Sequence, residues 1–244
     1  MNKKDYIKEF ISKLSNLDRS RSISTVFNDF LTLSYCSLAQ TIYQSDNLEQ
    51  RYLNIIKTYT KEQAEEFSKL LAFIVLGLEQ ESQDFLGQVY MSLNLGSQAN
   101  GQYFTPYSVS KFMAEINFTE IETIQNNQLI TLSEPCCGSG ALIIAFAQTL
   151  REHNINYQQN LFVEAIDISE MCFKMTYIQL SLLGISAKVV QGDSLSLKFQ
   201  QVLYTPFYFL NGIEYKLKTQ KLSENKLKLE KEDKPNISIQ LSLF

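Results

Sequence analysis

The sequence has few of the features that mark a membrane, secreted or metal-binding protein. No apolar run approaches the ~20 residues that cross a bilayer, and the amino-terminal MNKKDYIKEF lacks the apolar core of a signal peptide. The four cysteines form no CxxC pair, and His153 is the only histidine. These absences predict a reduced, cytoplasmic protein with no membrane contact and no metal site.

The chain also has no excess of basic residues. Lys and Arg number 22 against 26 Asp and Glu, so the formal net charge is −4. A protein that holds duplex DNA by itself usually presents a basic face. The charge balance therefore predicts that this chain alone binds DNA weakly.

The first part of the chain, residues 1–96, has the apolar spacing of helices. One stretch surrounds Phe10, and the others run over residues 26–38, 62–78 and 85–93, with Ser22 or Ser24 as a possible cap of the second. The pattern predicts a helical domain over 1–96. Its alternative roles are packing against the rest of the chain or forming a surface that meets DNA or a partner.

From Gly101 onward the period changes to that of an α/β protein. Strands are predicted over 129–133, 161–166, 187–190 and 201–209, and helices over 141–150 and 171–183, with Gly184 as the stop of the second helix. The alternation predicts parallel pairing with right-handed crossovers in a domain over 97–217. Asn211-Gly212 between two apolar runs predicts a β-hairpin.

Four short signals follow one another in this region: GQYFTP, EPCCGSG, VEAID and QGDS. Gly138 permits a tight turn, and Gly140 lets a ligand approach the backbone at the start of the next helix. The positive end of that helix suits a carboxylate or phosphate. Asp167 follows at a distance typical of ribose binding, and Asp193 could accept from an adenine amino group. The signals together predict a site for a nucleoside-containing cofactor.

In this order, the signals resemble the S-adenosylmethionine-dependent N6-adenine DNA methyltransferases, especially the modification subunits of type I restriction systems. The likeness covers roughly residues 80–200. It implies a bacterial or mobile-element protein with a helical bundle, a truncated Rossmann-like methyltransferase sheet and S-adenosyl-L-methionine as cofactor. The cofactor-binding residues that it implies are Gln102, Tyr103, Phe104, Thr105, Pro106, Glu134, Gly138, Ser139, Gly140, Asp167, Ile168, Asp193 and Ser194.

The same family carries an (N/D)PP(Y/F) tetrapeptide that accepts hydrogen bonds from the target amino group and stacks on the flipped base. No proline of this chain is followed by another, and the aligned place is Thr205-Pro206-Phe207-Tyr208. Losing one preorganised acceptor typically costs ~2.7–4 kcal/mol in a transition state. The four residues are either a degenerate catalytic loop or an ordinary strand and hairpin. Sequence-specific DNA recognition would come from the amino-terminal helices or from a protein partner, or it is absent.

The last part of the chain differs in composition. Residues 218–236 are rich in Lys, Glu and Asn, which predicts a flexible linker or a solvated helix. The final QLSLF, within an apolar segment over 237–244, resembles the peptide by which bacterial polymerases and repair proteins bind the replicative sliding clamp. The resemblance implies that Gln240, Leu241, Leu243 and Phe244 contact the clamp; the alternative is a last strand of the sheet, or chance.

Two functions follow from these patterns. One is an S-adenosylmethionine-binding, N6-adenine DNA methyltransferase-like protein recruited to replicating DNA through the clamp. The other is a catalytically inactive cofactor-binding or scaffold module that binds the clamp or a partner methyltransferase. Methylation of a protein or a small molecule is left open.

Overall fold

The computed structural model describes residues 5–95, 104–119 and 129–232, without the side chains of 119 and 223–232. Within these ranges the chain forms helices and strands in the order α1 Tyr6–Leu17, α2 Ile23–Tyr43, α3 Asp46–Ile56, α4 Lys61–Gln80, α5 Phe85–Ser92, α6 Tyr107–Thr119, β1 Ile130–Glu134, α7 Ala141–Glu152, α8 Tyr157–Asn160, β2 Leu161–Asp167, α9 Glu170–Leu183, β3 Ser186–Asp193, β4 Lys198–Tyr204, α10 Pro206–Leu210 and α11 Ile213–Glu232. No helix of this described part is long and apolar enough to span a membrane.

Polar side chains cap the starts of several helices, because they satisfy amides that have no partner inside the helix. Ser22 caps α2 by accepting from the Thr25 amide, as predicted, and Ser169 caps α9 by accepting from the Cys172 amide. Thr60 and Gln63 form a capping box at α4. The predicted end of α9 is confirmed, since Gly184 adopts a left-handed conformation with φ of 71°.

The helical part contains one helix more than the apolar pattern predicts. The additional helix is α3, a polar segment in which Leu48 is the buried residue. It packs against α2 in the structure. Leu48, Tyr52, Ile55 and Ile56 have the i, i+4, i+7, i+8 spacing of one helix face, a signal that the prediction over 1–96 does not include.

The sheet has the strand order β1-β2-β3-β4. The first three strands are parallel, as predicted, with Leu132 opposite Val163 and Val163 opposite Ala187. β4 runs antiparallel to β3, with an irregularity between Gln191 and Gly192. The carboxyl ends of β1, β2 and β3 therefore lie at one edge, here called the carboxyl edge, and their starts lie at the opposite, amino edge.

The predicted β-hairpin around Asn211-Gly212 is wrong. These residues join α10 to α11, with φ of 57° at Gly212. Thr205 and Pro206 begin α10, with proline in the first turn, where its missing amide and fixed φ suit a helix. Residues 218–232 belong to α11, so a helix, one of the two alternatives predicted from the composition, forms over this range. Residues 233–244, with the clamp-like peptide, lie outside the described residues.

The helical part and the sheet share one apolar core. Tyr35 of α2 meets two rings of α9, those of Phe173 at 6.1 Å and Tyr177 at 6.5 Å between centroids. The buried ammonium of Lys174 in α9 donates to Asn28 at 3.0 Å and to Thr32 at 2.9 Å, both in α2. Packing thus crosses the predicted boundary at residue 96, and the division into domains stays a prediction.

Candidate cofactor site

Three acidic residues end the three parallel strands. Glu134, Asp167 and Asp193 are the last residues of β1, β2 and β3, and the parallel register brings them to the carboxyl edge. In open α/β sheets, ligands bind outside the carboxyl ends of the strands. The structure thus brings together the strand-end acids that the sequence predicts as cofactor residues.

The glycine turn after β1 adopts backbone conformations that favour glycine. Gly138 has φ of 57° and Gly140 has φ of 95°, both in the left-handed region. The Gly140 amide donates to the Cys137 carbonyl at 2.8 Å, and the Gly140 carbonyl accepts from the Ile144 amide at 3.0 Å. Because Gly140 precedes α7 directly, the first amides of this helix open toward the turn.

Asp167 is bonded to this turn. Its Oδ2 accepts from the Gly138 amide at 2.9 Å, and its Oδ1 accepts from the Ser169 amide at 2.9 Å. A carboxylate can accept at about four lone-pair positions, so Asp167 keeps room for two further donors. The neighbouring Ile168 is exposed to solvent. Asp167 can thus hold the turn and accept from a pair of hydroxyl groups at once.

The Asp193 carboxylate mainly accepts hydrogen bonds from the turn that follows it. Its Oδ1 accepts from the amides of Leu195 at 2.9 Å and Ser196 at 3.2 Å, and its Oδ2 accepts from the Ser196 hydroxyl at 2.8 Å. The bond from the Ser196 hydroxyl, followed by those from the two amides, holds the pKa of Asp193 below its usual value. About one acceptor position remains for a ligand amino group. Ser194 beside it is half-buried.

The predicted GQYFTP segment reaches the glycine turn through Phe104. A methyl group added at Gly138 would lie 3.2 Å from the Phe104 ring, so this ring already touches the turn. Thr105 and Pro106 are exposed just before α6. Gln102 and Tyr103 lie outside the described residues.

Sequence reasoning missed a buried polar network behind the turn. Ser139 donates its hydroxyl to Asp84 Oδ2 at 2.5 Å, and Gln179 Nε2 donates to Asp84 Oδ1 at 2.9 Å and to the Ser139 carbonyl at 2.8 Å. The side chain of Thr176 donates to the Gly138 carbonyl at 2.9 Å. Two features of the sequence could have indicated this network: Asp84 just before an apolar helix, and Thr176 and Gln179 three positions apart within the apolar α9.

Complete burial raises the pKa of Asp84 above its ordinary value of 3.8, although Ser139, Gln179 and the Gly87 amide favour the ionised form. The buried thiols of Cys137 and Cys172 beside the turn are not activated. Burial raises the pKa of Cys137 well above its usual range and that of Cys172 to about 12. Cys136 is exposed. A thiolate nucleophile needs the opposite shift.

Thr205-Pro206-Phe207-Tyr208, predicted as either a degenerate catalytic loop or a strand and hairpin, begins helix α10 and lies away from the carboxyl edge. The fully buried Thr205 hydroxyl donates to the Ile185 carbonyl at 2.7 Å and accepts from the Ala187 amide at 2.9 Å. Both partners lie at the amino edge, because β4 runs antiparallel to β3. Asp193 lies six positions after Ala187 along β3, a distance of ~20 Å. Pro206 starts α10 there and the rings that follow pack at that edge, Tyr208 at 5.7 Å from Phe162.

No group of three or more His, Cys, Asp or Glu in the described part of the chain is arranged to hold a metal ion. The polar groups of the carboxyl edge are instead single acids, backbone amides and a helix amino terminus. This set of groups matches an organic ligand with hydroxyl groups and a negatively charged end.

Comparison with known proteins identifies the family. The family model described as N-6 DNA Methylase matches residues 81–239, more than half of the chain. The chain belongs to the N-6 DNA methylase family. S-adenosylmethionine is the cofactor of this methylase family, as the motifs predict. No curated protein matches the sequence.

Three solved chains match parts of this chain at low identity. A protein from Listeria monocytogenes assigned to the class I S-adenosylmethionine-dependent methyltransferases has a TM-score of 0.45 and 15% identity, over 78% of this chain and 54% of that one. The methyltransferase subunit of a type I restriction-modification system from Streptococcus thermophilus has a TM-score of 0.35 and 14% identity, over 74% and 55%. DrdV in complex with DNA has a TM-score of 0.38 and 14% identity, over 74% and 21%. The chain thus spans about half the length of the first two and about a fifth of the third.

The carboxyl edge fits the methylase cofactor in its chemistry. The helix amino terminus at Gly140 suits the cofactor's carboxylate. Asp167 has acceptor positions left for two ribose hydroxyls, and Asp193 has one for an amino group. When bound, the cofactor supplies an electrophilic methyl group, while the residues of this chain bind and orient it.

Proposed function

We propose that this chain binds S-adenosyl-L-methionine at the carboxyl edge and acts in N6-adenine DNA methylation as the component that holds the cofactor. The observation that carries this proposal is the bond between the Gly138 amide and Asp167, 2.9 Å long, which joins the glycine turn to the strand-end acid. That bond puts the positive end of α7 next to a carboxylate with free acceptor positions.

In this proposal each predicted residue has a separate task. Gly138, Ser139 and Gly140 form the turn that receives the methionine end, and Asp167 accepts from the ribose hydroxyls. Asp193 and Ser194 flank the adenine, with Glu134 and Ile168 at the rim. The segment from Gln102 to Pro106 covers the methyl-bearing end, a role that the contact between Phe104 and Gly138 supports.

Calorimetric titration with S-adenosylmethionine and with S-adenosylhomocysteine tests the binding proposal. We expect Asp167→Asn to weaken both ligands roughly 10- to 100-fold, because a charged acceptor of two hydrogen bonds is lost. Glu164→Gln is the matched control, since Glu164 lies in the same strand and pairs with Lys188 at 2.6 Å instead of facing the turn. No measurable binding by the unmodified chain would refute the proposal.

The position of Thr205 at the amino edge favours the second candidate, a module that binds cofactor without transferring its methyl group by itself. Transfer then requires an acceptor group from outside the described residues or from a protein partner, which would also supply DNA specificity. Labelled methyl transfer to adenine-containing DNA separates the candidates. Turnover by the chain alone supports a complete methyltransferase, and binding without turnover supports the module.

We further propose that the carboxyl-terminal peptide recruits the chain to the bacterial sliding clamp. The support is the sequence of the peptide: Leu241, Leu243 and Phe244 are apolar, and burying each is worth ~1.5–3 kcal/mol before ordering costs. Gln240 can hydrogen-bond at the rim of the pocket. Tethering by the clamp would raise the local concentration at DNA without a basic surface.

Deleting residues 240–244 tests this recruitment in a clamp-binding assay. We expect deletion to abolish binding and Ser242→Ala, within the same peptide, to leave it unchanged. Equal binding by the deleted and the intact chain would exclude the peptide as the contact.

A further inference from the structure

We propose that Asp84 is a positioning residue, whose side chain together with Gln179 holds the glycine turn in the conformation that receives the cofactor. The proposal rests on the proposed cofactor function, and its central claim about the turn is testable without the cofactor. Asp84 precedes α5 and lies 55 positions from Ser139 in sequence, so it connects the helical part to the turn.

The turn is fixed from several directions. Asp167 accepts from the Gly138 amide, and Thr176 donates to the Gly138 carbonyl. Gln179 donates to the Ser139 carbonyl, and Asp84 accepts from the Ser139 hydroxyl. The last of these bonds joins the turn directly to the residue that precedes α5.

The Ser139 side chain points into the protein. Its relative exposure is 1%, beside 3% for Asp84 and 0% for Gln179. A hydroxyl bonded to a buried carboxyl group at 2.5 Å serves as an anchor, so the cofactor meets the backbone of the turn. Gln179 is also fully engaged, because its Oε1 accepts from the Leu86 amide at 3.0 Å. A buried network whose members are all satisfied favours a single arrangement.

Gly87 shows how tightly the anchor is built. A methyl group added there would lie 1.9 Å from Asp84 Oδ2 and 2.5 Å from Ser139 Oγ. The backbone of α5 thus lies directly against the bonded pair, and only glycine fits. The Gly87 amide also donates to Asp84 Oδ1 at 2.9 Å.

The same helix supports the turn from a second side. Tyr90 of α5 packs on Phe104 with ring centroids 5.0 Å apart, and Phe104 touches Gly138. Helix α5 therefore supports the turn through the Asp84–Ser139 hydrogen bond and through the tilted ring pair of Tyr90 and Phe104, the latter against Gly138. This arrangement gives α5 control over the shape of the turn.

A simpler role for Asp84 is that of a helix cap. Capping of α5 uses Oδ1, which accepts from the Gly87 amide, whereas the bond to Ser139 uses Oδ2. Asparagine keeps an oxygen for the cap and for Gln179, and its amide group can donate to the Ser139 hydroxyl. Asp84→Asn should therefore preserve the turn, whereas Asp84→Ala and Ser139→Ala should release it.

Amide hydrogen exchange of Gly138 and Gly140 in the full chain without cofactor is the first measurement. We expect Asp84→Ala and Ser139→Ala each to raise the exchange rate at these amides roughly tenfold, as the loss of one buried hydrogen bond predicts. The exchange rate of the double variant should exceed that of either single variant only slightly. The exchange rate of Asp84→Asn should stay within about threefold of that of the unmodified chain. Ser139→Ala removes one oxygen atom and keeps the test valid if Asp84→Ala does not fold.

The control variant is Ser110→Ala. Ser110 is buried in α6, and its hydroxyl has no hydrogen-bond partner in the described part of the chain. Its loss should leave exchange in the turn unchanged. If Asp84→Ala speeds exchange in α5 alone, or Ser139→Ala leaves the turn unaffected, Asp84 is only a cap and the proposal is overturned.

Titration of the folded variants with S-adenosylhomocysteine is the second measurement. Asp84→Ala should weaken binding about tenfold or more, with Asp84→Asn restoring it to within about threefold. Equal affinity in Asp84→Ala and the unmodified chain would exclude an effect on the cofactor. If the unmodified chain binds nothing, the proposed function fails, and the exchange rates still decide whether Asp84 positions the turn.

Discussion

At the residue scale, the buried carboxyl group of Asp84 makes stability depend on pH. The Asp84 carboxyl group is buried, and none of the described groups that shift its pKa is a cation. Burial therefore raises its pKa above 3.8 in the folded chain. For an acid with a raised folded pKa, its contribution to stability is fully present below the unfolded value. It is lost as the pH rises through the folded value.

Asp84→Asn should remove this dependence, because asparagine does not titrate. We expect the free energy of unfolding of Asp84→Asn to increase relative to that of the unmodified chain as the pH rises from ~4 to ~8. Urea unfolding at a series of pH values measures the difference. Parallel curves for the two proteins would mean that the folded and unfolded pKa values of Asp84 are the same.

Gly140 carries a second prediction at this scale. With φ of 95° and the Thr176 side chain 3.4 Å from an added Cβ, Gly140→Ala should lower the free energy of unfolding by ~1–2 kcal/mol and weaken cofactor binding. Gly212→Ala is the matched control, since φ there is 57° and an added Cβ has open space. It should cost similar backbone strain while cofactor affinity, measured by calorimetry, stays the same.

At the scale of elements, Thr205 joins the end of β4 to the start of β3. Thr205→Val should lower the free energy of unfolding by ~2–6 kcal/mol, because the Ala187 amide and the Ile185 carbonyl both lose a buried partner. Cofactor affinity of the folded protein should not change. A selective loss of methyl transfer with unchanged stability would instead support an acceptor role for Thr205.

The elements differ in how well their sequences predict them. The strands β1, β2 and β3 and the helices α7 and α9 have clear apolar patterns, and the structure confirms them. The strand predicted over 201–209 is correct only as far as Tyr204, because α10 begins at Pro206. Helix α3 is missed although Leu48, Tyr52, Ile55 and Ile56 have helical spacing. Thr205–Tyr208 begins a helix instead of a strand and hairpin, because Thr-Pro also suits a helix start. The hairpin signal of Asn211-Gly212 is overridden because a left-handed glycine serves equally well between two helices.

At the scale of the whole molecule, the helical part and the sheet should unfold together. Tyr35→Ala in α2 removes the ring that packs on Phe173 and Tyr177, which should cost ~3–5 kcal/mol, as large aromatic truncations do. We expect Tyr35→Ala to lower the opening free energy of amide exchange by the same amount in β2, β3 and α2.

The exposed Leu53→Ala in α3 is the control for this experiment, with little effect on either part. If Tyr35→Ala leaves the exchange rates of the sheet unchanged, the chain contains two independent domains with a boundary near residue 96. Calorimetric unfolding would then contain two transitions instead of one.

The sequence by itself determined the α/β order, the glycine turn and the strand-end acids, because helix and strand periods and glycine's left-handed φ are local properties. Only the tertiary structure decided that Asp84 anchors the turn and that Thr205 faces the opposite edge. The role of Asp84 depends on contact with Ser139, which is 55 positions away in the sequence. The position of Thr205 depends on the antiparallel direction of the edge strand β4. Neither contact distance nor strand direction is encoded in a local pattern.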